Sequence, residues 1–196
     1  MIRTPLRRLV VLASSAVAVA VTALALSAPA EATTAQSCAV TWGSLAKQGP
    51  STGPVAGATV SNVRAGRQDC FDRLVLDIRG TSTLKSYRAE YVSQVTEDPS
   101  GRPVPLRGGA YLQIAVGASD HTASGTPTYT PANRRELVDV TGFSAFRQVA
   151  WAGSSEGISS VGLGVRARLP FRVFTLSGIP GSTNGTRVVI DVAHSW

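Results

Sequence analysis

Two hexapeptides, "RLVLDI" at residues 73–78 and "RVVIDV" at residues 187–192, share one pattern: Arg, apolar, Val, apolar, Asp, apolar. Side chains alternate across a strand with period two, so Leu74, Leu76 and Ile78 point one way while Arg73, Val75 and Asp77 point the other. The second copy divides in the same manner, Val188, Ile190 and Val192 against Arg187, Val189 and Asp191. Each is therefore a strand with one clean apolar face, and the Arg and Asp belong to the outer face. Within a copy the two charges stand four residues apart, about 13 Å along a strand, too far to pair directly. If the copies lay antiparallel and in register, Arg73 would meet Asp191 and Arg187 would meet Asp77. The plainer arrangement puts each copy in its own half of a duplicated sandwich, with charges paired to local neighbours, and the repeat itself suggests this one.

Working outward, the same short apolar segments recur with turn residues between them. The pattern predicts strands at residues 60–64, 73–78, 87–95, 111–116, 136–140, 147–151, 161–165, 171–176 and 187–192. Between them lie "AGRQD", "EDPSGRP", "GASDHTASGTP", "SSEGIS" and "SGIPGSTNG". No long helical period appears in this region, and many short strands with Gly, Pro and Ser turns predict an all-β sandwich of two similar halves. Asn184-Gly185 reads as a tight hairpin turn.

The N-terminal stretch is of another kind. Arg3, Arg7 and Arg8 precede an uncharged apolar run over residues 9–26, followed by the small-residue sites "APA" and "AEA" ending at Ala30 and Ala32. That is the layout of a secretory signal peptide, here residues 1–32, and an uncleaved membrane anchor is its alternative. Cys38 is too far downstream to be the lipidated cysteine of a lipoprotein. Export leads to an oxidising compartment, where the two cysteines read as one disulfide, Cys38–Cys70, closing a loop of about thirty residues. Residues 33–59, small, polar and rich in Gly and Pro, read as a flexible arm that Cys38, Trp42 and Leu45 fasten, with "KQGPSTGP" loose. The folded domain is then residues 60–196.

Cleavage would remove three of nineteen cationic and one of twelve acidic side chains, leaving 16 against 11. The basic excess suits an anionic partner such as cell-wall polymer or a phospholipid surface. The cations are scattered singly, and no recognition helix or aromatic-basic RNA motif is present, so nucleic acid is not an expected partner. No membrane attachment is expected once the segment is cleaved.

Residues 60–92, "VSNVRAGRQDCFDRLVLDIRGTSTLKSYRAEYV", residues 146–176, "FRQVAWAGSSEGISSVGLGVRARLPFRVFTL", and residues 186–196, "TRVVIDVAHSW", together resemble the AMIN-like domain of actinobacterial secreted proteins and lipoproteins. The resemblance runs over the chain from Cys38. It implies kinship to the AMIN domain, a non-catalytic β-sandwich that targets proteins to peptidoglycan, and hence an association with cell-wall polymer or an envelope protein.

Chemistry is sparsely signalled. The only histidines are His121, in "ASDHTASG", and His194 near the end; there is no G-x-S-x-G elbow and no zinc spacing. Glu156 is the best single acid for glycoside hydrolysis, but no second carboxylate stands out. A secreted wall hydrolase is thus one alternative, and a protein-binding or inhibitor module using the loop "GASDHTASGTPTY" is another. No metal or cofactor is implied. For binding, Trp151, Glu156, Arg147, Arg166 and Arg168 fall in one Gly-rich region, where an aromatic platform and cations could hold sugar rings or peptide carboxylates.

Overall fold

The computed structural model describes residues 38–196. The expected signal peptide, its cleavage sites and the start of the arm lie outside the described residues. Residues Gln36–Trp196 form one compact unit.

Nine strands run β1 (Lys47–Gln48), β2 (Thr59–Arg67), β3 (Phe71–Arg79), β4 (Tyr87–Val92), β5 (Ala110–Val116), β6 (Phe146–Ser155), β7 (Ile158–Val165), β8 (Phe171–Ile179) and β9 (Ser182–Ala193). They make two antiparallel sheets, β1-β4-β5-β7-β6 and β2-β3-β9-β8, with no helix among the described residues. The all-β sandwich read from the sequence is the fold. The two hexapeptides, however, do not occupy separate halves. They are the adjacent central strands β3 and β9 of the four-stranded sheet, with Leu74 opposite Ile190 and Leu76 opposite Val188.

That register turns Leu74, Leu76, Ile78, Val188, Ile190 and Val192 inward, where none retains solvent exposure. They meet Leu112, Ile114, Val149, Trp151, Val161, Leu163 and Val165 of the other sheet in one core. Each buried Leu, Ile or Val adds about 1.5–3 kcal/mol of transfer free energy, so this double row is the main adhesive between the sheets.

Most predicted strands are present, extended by one to five residues at one or both ends, and 87–95 stops at Val92. Residues 136–140 form none. Leu137 N–H does donate to the Val149 carbonyl, 2.9 Å, but Asp139 Oδ1 accepts the Thr141 N–H at 2.9 Å and so curls the chain into a turn. Local Asx chemistry beats the apolar alternation there. The β8–β9 turn is Pro180-Gly181, with Gly181 at φ 77, and Asn184-Gly185 lies inside β9 instead. Pro followed by a positive-φ Gly suits a type II turn. Gly185 is needed for space, because a Cβ there would press into the Ile179 side chain.

The arm is more firmly held than its composition suggests. β1 adds to the edge of β4, Gly49 N–H donates to the Tyr87 carbonyl at 2.9 Å, and Val55 N–H donates to the Gly117 carbonyl at 3.0 Å. An unpaired edge is satisfied by whatever extended backbone reaches it, regardless of side-chain polarity. Cys38 and Cys70 are joined as a disulfide, and Trp42 stands edge-on to Phe71 with ring centroids 5.7 Å apart. Leu45 does not fasten the arm; it is 74% exposed.

Candidate binding surface

The outward faces of β2, β3, β9 and β8 bring Arg64, Arg73, Arg187 and Arg172 onto one side of the four-stranded sheet, among Phe71, Phe174 and Leu176. Asp191 is fully buried at its centre. Arg73 reaches it through two bonds, Nε to Oδ1 at 2.7 Å and a terminal nitrogen to Oδ2 at 2.9 Å, while Arg172 Nε donates to Oδ2 at 2.8 Å. The Arg73–Asp191 pair is the one that antiparallel register required. These hydrogen bonds raise the Arg73 guanidinium above its ordinary value, so it keeps its charge at any working pH.

Asp77, opposite Arg187 in register, pairs elsewhere. Arg64 grips it from β2 with bonds of 2.9 and 3.0 Å, and Arg187 donates to the carbonyls of Gly178 and Ser177 across the β8 strand. The outer face is thus no simple solvated surface: Asp77 and Asp191 are covered by the guanidiniums that bind them. Four arginines stand against two aspartates, so the face keeps a positive excess.

Aromatic rings complete it. The Arg172 guanidinium lies 4.4 Å from the Trp42 ring centroid, 5.1 Å from Phe174 and 5.6 Å from Phe71, and that of Arg73 lies 5.2 Å from Phe71 and 5.6 Å from Phe174. Cation–π attraction and the carboxylate hold these side chains in one arrangement before any ligand arrives. Arg172 uses only Nε on Asp191; among the described residues its two terminal nitrogens have no hydrogen-bond partner.

The five residues singled out in the sequence are dispersed. Trp151 is 5% exposed and packs against Tyr129, centroids 5.1 Å apart, at the floor of a cleft of about 390 Å³ shared with Asp120, His121 and Arg134. Burial pushes the Tyr129 phenol up to about 12. Glu156 is exposed at the β6–β7 hairpin, where its φ of 52 and the 77 of Gly157 make a two-residue primed turn. Arg147 donates to the carbonyls of Phe143, Ser144 and Phe146, closing the loop before β6. Arg166 and Arg168 lie beyond β7, donating to the His194 carbonyl and to Ser44 respectively. Nearness in sequence failed as a guide because the β6–β7 hairpin sends its turn and its base to opposite ends of the sheet.

Sequence reasoning missed Arg172, Trp42 and Phe174 as a group. The signal was there in the alternation of β8, where Arg172 and Phe174 share the face of Leu176, but only the sheet order shows that this face adjoins the Arg–Asp strands.

Neither histidine stands in a Ser–His–acid chain. Asp120 Oδ1 at 2.7 Å and Ser119 Oγ at 3.0 Å both approach His121 Nδ1, whereas a nucleophile and an orienting acid must sit on opposite ring nitrogens. His194 Nε2 meets buried Asp72 at 3.0 Å, and the other oxygen of Asp72 accepts the N–H groups of Ala145 and Phe146 at 2.6 and 3.0 Å. This is a tie between sheets.

Among known families, the AMIN-like domain matches residues 58–194. The chain belongs to the AMIN-like family. The match begins at the start of β2 and ends just past β9, so it takes in the Arg–aromatic strands but not the arm that supplies Trp42. No curated protein and no solved structure matches this AMIN-like chain.

Proposed function

We propose that this AMIN-like domain is an exported, non-catalytic module that associates with the cell envelope by holding peptidoglycan on the outer face of β2-β3-β9-β8. The observation that carries the reading is the preorganised cluster of Arg73, Arg172, Trp42 and Phe174 around buried Asp191. Its ring faces suit stacking on sugars, and the free end of Arg172 suits a bidentate bond to a carboxylate of the wall peptide. The disulfide agrees with an oxidising, extracytoplasmic site. The Ser119–His121 contact has its acid, Asp120, on the same ring nitrogen, so it is not a Ser–His–acid chain, and the arginine–aromatic cluster carries the binding reading.

The test is retention of a chain starting at Thr33 on purified, insoluble peptidoglycan across a salt series. Wild type is retained at low salt, and Arg172→Ala and Trp42→Ala each reduce retention by about tenfold, the loss of one good charged or stacked contact. Weakening with salt is expected for exposed guanidiniums. No retention at low salt, or equal retention by folded variants, rejects the reading.

A further inference from the structure

We infer that a second surface, where the arm and the residues after β9 both meet the β7–β8 connection, seats on an anionic phospholipid bilayer. Three large apolar side chains are exposed among the described residues, and two of them are gathered here: Leu45 at 74% and Trp196 at 70%. Arg168 joins them. Its guanidinium donates to the hydroxyl and carbonyl of Ser44, the residue before Leu45, at 3.2 and 3.1 Å, and its carbonyl accepts the Trp196 indole N–H at 3.1 Å. Lys47 folds back to the Leu45 carbonyl at 2.9 Å, and exposed Arg166 donates to the His194 carbonyl.

The composition decides the partner. An exposed Trp and an exposed Leu beside exposed Arg166 and Arg168 and half-buried Lys47 have the pattern of an interfacial anchor: apolar groups for the acyl boundary, cations for anionic headgroups. None of the three cations has a carboxylate within ion-pair distance among the described residues, and an α-carboxylate at Trp196 would offset only one of them. A soluble polyanion would use the cations but leave Leu45 and Trp196 in water, so the bilayer accounts for more of the surface. Trp196 also has its indole N–H satisfied internally, so its ring can enter the headgroup region without stranding a donor. Two exposed apolar side chains with three cations amount to a weak, reversible attachment. The basic excess alone points to anionic surfaces in general, and membrane contact after cleavage is not expected from the sequence, because Leu45 and Trp196 are separated by most of the chain and come together only in the fold.

The experiment is flotation with extruded vesicles, using a chain starting at Thr33 so that the apolar run of residues 9–26 is absent; the compact unit from Gln36 onward carries its own core and disulfide. Phosphatidylcholine vesicles with 30% phosphatidylglycerol should bind the protein at least about tenfold more strongly than pure phosphatidylcholine. Leu45→Ser with Trp196→Ser should lower that binding at least about tenfold while leaving the melting temperature unchanged, since both side chains are exposed. Arg172→Ala, on the sheet face, should leave vesicle binding intact, so this inference and the peptidoglycan reading fail separately. Failure to float with anionic vesicles, undiminished binding by the double variant, or binding only to soluble polyphosphate overturns the proposal.

Discussion

Asp72 has no exposed surface, and both of its oxygens are engaged: one takes the N–H groups of Ala145 and Phe146, the other meets His194. It thus ties β3 of one sheet to the start of β6 in the other and to the residue after β9. Asp72→Ala would strand two backbone donors in the interior, each costing about 1–3 kcal/mol, so the expected loss is about 3–5 kcal/mol in a denaturant melt. Asp72→Asn keeps one acceptor oxygen and should lose about half as much. Neither Asp72 nor Asp191 could be recognised as buried from the sequence. Alternation places Arg73 and Asp191 on one face and offers their pairing as a consequence of register, yet Arg64, Arg172 and His194 come from segments whose neighbours only the topology decides. Asp77 shows the difference well, because a partner in perfect register, Arg187, is passed over for Arg64.

At the scale of elements, what was legible was the alternation that buries Leu74, Leu76, Ile78, Val188, Ile190 and Val192. Turns made by backbone demand were legible in part: Gly157 in the β6–β7 hairpin was, while Pro180-Gly181 was overlooked for Asn184-Gly185. Least legible was the arm. Its Gly and Pro content resembles a linker, yet β1 completes a sheet edge and the disulfide moors the stretch that holds Trp42. The Cys38–Cys70 link spans 32 residues, and a loop of that size restrains the unfolded chain by about 3–4 kcal/mol in the entropy model. Replacing both cysteines with serine is therefore expected to lower stability by about that amount in equilibrium unfolding, and to weaken peptidoglycan retention beyond it by loosening Trp42. A double-serine protein that melts like wild type would mean that β1 and the Gly49 and Val55 hydrogen bonds hold the arm unaided.

The whole molecule is organised by strands that come from opposite ends of the described chain. β9 sits between β3 and β8, one of the two central positions of its sheet, so the sandwich cannot close until this strand is delivered. Such long-range pairing makes for slow folding and an all-or-none structure. It also separates the fold from the surface that rides on its end. A chain stopped after Gly181 loses Val188, Ile190 and Val192 from the core and leaves β3 and β8 with open edges; it should show no cooperative thermal transition by circular dichroism. A chain stopped after His194 keeps β9 and the Asp72 contact but lacks Trp196, and should unfold cooperatively within a few degrees of wild type while binding anionic vesicles more weakly. The two truncations differ by thirteen residues, and the contrast between them is the measurement. If the shorter chain still melted cooperatively, β9 would be dispensable and the account of the two hexapeptides as the joint centre of the sheet would be wrong.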